Sequence, residues 1–150
     1  MLINPETLLK RIKKAEIQSE KLILKGLKDQ KIERINQDNL LQGKDSEGSD
    51  MPFYSNSEYG LYKTMRNPKN RGHWDLKNTG AYHKGIYTII QKKTILFKQR
   101  LRNKKVYWID MMMEKSNRTP LGITKNQIIE AQKKNIDIVK PQLLKIINGS

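Results

Sequence analysis

Residues 86–109 read IYTIIQKKTILFKQRLRNKKVYWI and contain three runs of β-branched and aromatic residues, at 86–90, 94–97 and 106–109. Residues of these types favour the extended backbone of a β-strand. The connection at 91–93 is short enough for a hairpin turn, and residues 100–105 supply the second connection. An antiparallel meander is then the simplest arrangement. The sequence predicts a small antiparallel sheet of about three strands.

The N-terminal part of the chain has the pattern of an amphipathic helix. Asn4 suits the capping position, Pro5 the first helical position and Glu6 the positive end of a helix. Apolar residues then recur at helical spacing as far as Leu24, which predicts a helix over about residues 5–25. Gly26 is a candidate terminator, and a continuous helix bent at Gly26 is the alternative.

The middle of the chain is rich in turn-forming residues. Residues 42–57 read QGKDSEGSDMPFYSNS and predict an exposed loop. A short helix is predicted to follow over 57–65, and its apolar side consists of Tyr59, Leu61, Tyr62 and Met65. Asn67-Pro68 should end that helix.

Helical signals return after the predicted sheet. Thr124 and Gln127 fit a capping box that opens a helix over about 125–134, and a second apolar stripe starts at Ile136. Pro141 is compatible with this second helix only near the helix start or at a kink. The sequence therefore predicts an α+β fold in a single domain, with a helical arm at 1–35, a loop-rich core and sheet at 36–118, and C-terminal helices at 119–150.

Composition limits the function classes. Only 36% of the 150 residues are apolar and 30% are charged, so the core is small for an isolated monomer, and oligomerisation would compensate. The chain has no cysteine, which excludes disulfides and thiolate metal sites. We also expect neither a classical export signal nor a membrane span, because no apolar run is long enough.

The net charge of +15 predicts a polyanionic or acidic neighbour. By segment, residues 1–45 carry +3, 46–82 carry +1, 83–118 carry +8 and 119–150 carry +3. The central cations are interleaved with Tyr87, Phe97, Tyr107 and Trp108, a pattern that suits nucleic acid if the rings are exposed, although rings alternating into a core are the favoured interpretation. DNA and acidic protein remain equal alternatives for the cations. The candidate contact residues are Lys92, Lys93, Lys98, Arg100, Arg102, Lys104 and Lys105.

Little in the sequence predicts catalysis. His73 and His83, with Asp75 and Asp110 as possible companions, match no metal-site spacing. Asp45, Glu47 and Asp50 resemble a calcium loop only superficially, because the later bidentate glutamate is missing. No glycine-rich phosphate loop is present. We expect no enzyme activity, no metal and no cofactor.

Residues 32–90 carry an ordered series of short motifs. These are Asn-x-x-Asn-Leu, Gly-x-Asp-x-x-Gly, Tyr-Ser, Tyr-x-x-Tyr-Lys and Asp-Leu-x-x-Thr-Gly. The series resembles an uncharacterised family of phages and prophages of Bacteroidetes, including the crAss-like gut phages. The matching residues are Asn36, Asn39, Leu40, Gly43, Asp45, Gly48, Tyr54, Ser55, Tyr59, Tyr62, Lys63, Asp75, Leu76, Thr79 and Gly80.

The Leu76 to Gly80 step is also similar to one in tail-completion and virion-morphogenesis families, whose small α+β proteins form rings between portal and tail. The likeness implies a non-enzymatic structural protein of a tailed phage, made in the host cytoplasm and placed at the head–tail junction or in the tail. Its implied partners are further copies of itself, portal, neck or tail proteins, and DNA in the channel, with no membrane. A basic nucleic-acid-binding regulator or packaging accessory is the alternative. Residues 108–110 and 121–124 depart from the family pattern.

Physically, the motif suits a scaffold. Glycines such as Gly43 and Gly48 permit backbone angles that other residues resist, and Asp45 and Asp75 can accept hydrogen bonds from loop backbone. Tyrosines can pin the loops to the sheet while keeping a polar tip.

Overall fold

The computed structural model describes residues 4–91, 94–102 and 104–149. The chain is α+β, as predicted. Its contacts define two compact units, residues 32–127 and the pair of segments 1–31 and 128–150. The predicted single domain, with its divisions at residues 35 and 118, stays a prediction.

The terminal unit pairs two long helices. Helix α1 runs from Pro5 to Asp29, and the side chain of Asn4 accepts a hydrogen bond from the backbone N–H of Glu6 at 3.0 Å, which confirms the predicted cap. The predicted end at Gly26 is wrong, because the helix runs through Gly26, as in the alternative of a continuous helix, and ends at Asp29. Gly26 instead permits close packing, since a Cβ added there would lie 1.8 Å from Oδ1 of Asn135.

The last helix, α6, runs from Lys125 to Asn148 without interruption, so the prediction of two separate C-terminal helices is wrong. Its capping box is confirmed, because Thr124 N–H donates to Oε1 of Gln127 at 3.0 Å and Gln127 N–H donates to the Thr124 hydroxyl at 3.3 Å. Pro141 lies inside this helix and removes one N–H donor. The carbonyl that loses this partner belongs to Asp137, an exposed residue, so water can replace the bond.

Ala131, Asn135 and Val139, spaced four residues apart, form the buried stripe of α6. Within the terminal unit, the Asn135 side-chain amide donates to the carbonyl of Ile23 at 2.7 Å, and that of Gln30 donates to the carbonyl of Ala131 at 3.3 Å. Two polar side chains therefore fix α6 against α1.

The central unit is mixed. It contains α2 (Glu33–Leu41), α3 (Ser57–Arg66), a 3-10 turn (Pro68–Asn70), α4 (Ala81–Gly85), β1 (Ile86–Gln91), β2 (Thr94–Gln99) and α5 (Lys104–Lys115). The predicted loop before α3, the predicted helix and its end at Asn67 are confirmed. The predicted exposure of that loop is wrong in part, because Met51 lies in the core and Asp45 is buried.

Strands β1 and β2 form an antiparallel hairpin, with register from Ile86 opposite Gln99 to Gln91 opposite Thr94. Among the described residues the sheet has these two strands, so the prediction of three is wrong. The third run, Val106 to Ile109, belongs to helix α5. Val106, Ile109 and Met113 share one side of α5 and pack on the core, which is why the helical form prevails over strand propensity.

The core of the central unit is small. Its buried residues are Leu40, Met51, Tyr82, Ile86 and Met113. Partly buried side chains pack around them, namely Trp74, Leu76, Phe97, Val106, Ile109 and Leu121. Helices α2, α4 and α5, both strands and the loops at 51, 74–76 and 121 thus contribute to one cluster, whereas α3 does not.

Candidate nucleic-acid or acidic-partner interface

A buried ion pair lies at the centre of the motif residues. Lys63 Nζ is 3.0 Å from Oδ1 and 3.3 Å from Oδ2 of Asp75, and the side chains of Lys63 and Asp75 are only 11% and 4% exposed. The Tyr54 hydroxyl donates to Asp75 Oδ1 at 2.8 Å, and the Lys77 backbone N–H donates to the same oxygen at 3.0 Å. Lys63 also donates to the carbonyl of Lys77. We call Tyr54, Lys63, Asp75 and His83 the buried polar centre.

The two histidines have structural partners. His83 Nε2 donates to the carbonyl of Asp75 at 2.6 Å, and the His83 carbonyl accepts from the Gln37 side chain at 2.8 Å. Burial lowers the pKa of His83 below its usual value of 6.5. His73 Nδ1 bonds to the carbonyl of Met51, and its ring stacks on Phe53 with centroids 4.0 Å apart. Both side chains therefore fix loop backbone.

The remaining acidic candidates are separated by their own bonds. Asp45 Oδ1 accepts from the backbone N–H groups of Glu47 and Ser49, at 3.0 and 2.8 Å, which makes the loop a turn. Asp50 pairs with Lys44 at 2.6 Å, and this bond lowers the Asp50 pKa. Across residues 4–91, 94–102 and 104–149, no three His, Asp or Glu side chains are grouped as metal ligands.

Other motif residues also serve the fold. Asn36 is fully buried, and its side-chain amide donates to the carbonyls of Pro120 and Gly122 at 2.8 and 2.7 Å. Asn39 exchanges two hydrogen bonds with Gln127, at 2.9 and 2.8 Å. Leu40 lies in the core.

Backbone geometry accounts for several of the other motif positions. Gly43, Gly48 and Gly80 have φ angles of 69°, 85° and 80°, in the region that favours glycine. Leu76 shares that geometry with φ of 52°. Thr79 accepts from the backbone N–H of Ala81 at 3.4 Å. Ser55 is exposed, and nothing in the structure explains its place in the motif.

The predicted contact cations form an exposed set in and around β2 and the start of α5. We call Lys98, Arg100, Arg102, Lys104 and Lys105 the basic surface; all five are exposed. Lys92 and Lys93, predicted to belong with them, lie outside the described residues.

Two of the four interleaved rings are exposed, against the favoured interpretation that they are core residues. Tyr107 and Trp108 are 69% and 57% exposed because α5 turns its Val106–Ile109–Met113 side inward. Phe97 packs against the core, and Tyr87 is half-buried with the Arg100 guanidinium 4.9 Å from its ring centroid. Exposed rings thus lie beside exposed cations on α5.

An apolar cavity adjoins the basic surface. It has a volume of 430 Å³ and lies between the segment 76–82 and the first turns of α5, with Lys104 and Lys105 in its wall. Its lining contains no acidic side chain. The shape and charge suit an apolar group next to a negative one.

Helix α3 carries surfaces that the sequence did not reveal. Its buried residues are Gly60 and Lys63, whereas Leu61 and Met65, expected on an inward apolar side, are 62% and 76% exposed. Tyr59 and Tyr62 are also exposed, at 39% and 48%, so they do not pin a loop to the sheet. Lys63 is the residue that turns this side of α3 inward, because it pairs with the buried Asp75 carboxylate. The sequence could not show this, because only the fold brings Asp75 close to Lys63.

No protein-family model, curated protein or solved structure matches this chain. Within the part of the chain that the structure describes, the helices are too short or too polar to cross a membrane.

Proposed function

We propose that this chain is a non-catalytic assembly protein of a tailed-phage virion, acting as a neck, connector or tail-completion ring subunit. The phage assignment rests on the resemblance of residues 32–90. The assembly role rests on the distribution of apolar side chains, which is the observation that carries the proposal.

That distribution is inverted relative to a self-sufficient monomer. Among the described residues, ten hydrophobic residues are buried, two of them alanines, whereas eighteen large hydrophobic side chains are exposed. Scattered exposed apolar residues are ordinary, but neighbours one helical turn apart form a patch. Leu61 and Met65 are such neighbours on α3, and we call them the exposed apolar face of α3. Covering this face would supply the burial that the small core lacks.

The basic surface supports a polyanionic or acidic neighbour in the assembly. A ring would repeat the net charge of +15 in every subunit and form a strongly positive annulus. DNA passing through a channel and the acidic face of a portal, neck or tail protein both meet this requirement.

Two experiments test the proposal. Mass spectrometry of purified virions should detect the chain in stoichiometric amounts, and its absence from particles would contradict the virion assignment. Size-exclusion chromatography with light scattering should show an oligomer that persists at about 1 M salt, because apolar contacts are not screened.

The second candidate function is a free nucleic-acid-binding protein, a regulator or packaging accessory. The observation that favours it is the exposure of Tyr107 and Trp108 beside the basic surface. A monomer whose DNA affinity falls steeply with salt would support this alternative over the ring.

A further inference from the structure

We propose that the cleft between α2 and α3 binds single-stranded nucleic acid, with bases on Tyr59 and Tyr62 and phosphates on Arg66, Lys69 and Lys77. The cleft is separate from the basic surface, and the proposal does not depend on ring assembly. It would assign a second activity to the motif region.

The cleft has the size and lining that such a ligand needs. Its volume is 1140 Å³, above the roughly 300–1,000 Å³ of small-ligand pockets and open enough for a chain. Arg66, Lys69 and Lys77 in its wall are exposed. The carboxylates in the wall are Asp38 and Asp75, and Asp75 is neutralised by Lys63. Three cations therefore face one uncompensated carboxylate.

Helical geometry directs the rings and the cations to the same side. At 3.6 residues per turn, Tyr59, Tyr62 and Arg66 share one side of α3, apart from the buried Gly60 and from the exposed apolar face. The Tyr59 and Tyr62 rings are stacked at 26°, with centroids 6.2 Å apart. The Arg66 guanidinium lies 5.3 Å from the Tyr62 centroid. Tyrosine rings and a guanidinium thus form a platform of the kind on which unpaired bases stack.

Tyr54 and Lys63 hold the Tyr59 ring of this platform in place. Tyr59 meets the ring of Tyr54 edge-on at 4.9 Å, and Tyr54 is bonded to Asp75. Lys63 Nζ lies 5.5 Å from the Tyr59 centroid while it pairs with Asp75. The buried polar centre therefore orients the partly exposed Tyr59 ring before a ligand binds, which lowers the entropy lost on binding.

A single strand fits better than a duplex or an acidic protein. Bases in a duplex are already stacked on each other and cannot reach the rings. An acidic peptide would use the cations but would leave two adjacent exposed tyrosines without a specific role.

The test uses the 150-residue protein and a fluorescently labelled oligothymidylate of about 12 nucleotides. The double variant Y59L/Y62L should weaken binding at least about fivefold per ring, with an unchanged salt dependence because no charge is altered. The control I136A/L144A removes two exposed apolar side chains from α6, which belong to no proposed binding surface, and should leave the affinity within about twofold. Equal losses in both variants, or no loss in Y59L/Y62L, would overturn the proposal.

Photo-crosslinking keeps the test independent of variant folding. A strand with 5-iodouracil in place of thymine should crosslink wild-type protein within residues 57–66. Crosslinks confined to Tyr107 or Trp108 would contradict the proposal. So would a duplex of equal length that competes as well as the single strand, because that result indicates charge attraction alone.

The cations have a separate readout. K69Q/K77Q should reduce the slope of log affinity against log salt by roughly 0.7 for each lysine that contacts a phosphate. K133Q/K134Q, which removes two exposed lysines from α6, should leave the slope unchanged. An equal effect of both pairs would show that net charge, and not the cleft, governs binding.

Discussion

The buried polar centre differs from the basic surface and the exposed rings beside it in how lysine and tyrosine are used. Lys63 pairs with Asp75 and is 11% exposed at its side chain, whereas Lys98 is exposed on a strand of the same compact unit. Tyr54 donates to Asp75, while Tyr107 is 69% exposed. The same residue types therefore stabilise the fold at one place and remain available for partners at the other. The difference predicts which substitutions damage stability and which damage binding.

The largest effect should come from breaking the buried ion pair. D75N leaves the Lys63 ammonium buried without a counter-charge and should lower the free energy of unfolding by about 3–5 kcal/mol, measured by urea denaturation. K98Q, the matched change on the basic surface, should alter it by less than about 0.5 kcal/mol. Similar losses in D75N and K98Q would contradict the distinction between the two regions.

The second largest effect should come from acidification, which weakens the buried polar centre. Burial lowers the pKa of His83 in the folded protein below 6.5, so the unfolded chain binds its proton first. Above about pH 6.5, His83 is neutral in both states and does not lower the free energy of unfolding. As the pH drops below that value, His83 lowers the free energy of unfolding by at most about 1.4 kcal/mol per pH unit. H83Q keeps a donor for the Asp75 carbonyl and should flatten the dependence of the urea midpoint on pH. If the urea midpoint of H83Q depended on pH as steeply as that of wild type, groups other than His83 would be responsible for the acid destabilisation.

Loss of the capping box should have a moderate effect. T124A removes the hydroxyl that accepts from the Gln127 N–H and should cost about 1 kcal/mol in unfolding free energy. T94A, an exposed threonine on β2, is the control and should cost less than that. If the two variants were equally stable, the cap would not contribute.

The smallest effect on stability belongs to the basic surface. K98Q/R102Q/K104Q should leave the unfolding free energy nearly unchanged, and removing Lys104 from the first turn of α5 favours the helix slightly. The same variant should elute from heparin at clearly lower salt than wild type. K13Q/K14Q/K133Q removes equal charge from exposed positions on α1 and α6, and its elution should shift less. Equal shifts would mean that polyanion affinity depends on net charge alone.

Local signals were sufficient to predict several elements. The cap at Asn4, the box of Thr124 with Gln127, the end of α3 at Asn67 and the β1–β2 hairpin each depend on residues close in sequence. Such features are encoded locally, and the structure contains all of them.

Tertiary contacts decided the elements that were predicted wrongly. Val106 to Ile109 has strand composition, but Met113 extends the 106–109 spacing into a helical stripe that packs on the core. Gly26 has the composition of a terminator, but its lack of a side chain admits Asn135 from a distant part of the sequence.

The candidate surfaces divide in the same way. The basic surface could be predicted because cations at strand and helix ends remain exposed in almost any fold. The cleft between α2 and α3 could not be predicted, because Lys63 and Asp75 are twelve residues apart and their pairing determines which side of α3 turns inward. Leu61 and Met65 were expected to face the core because they are apolar, but the buried Lys63–Asp75 pair turns a different side of α3 inward.

Sedimentation equilibrium of wild type and L61S/M65S tests the assembly role most directly. Wild type should have a mass of at least twice 17.6 kDa, in whole multiples, at both about 0.1 M and about 1 M salt. L61S/M65S should sediment near 17.6 kDa with an unchanged circular dichroism spectrum. A wild-type protein that remained at 17.6 kDa at every concentration and salt would contradict the account.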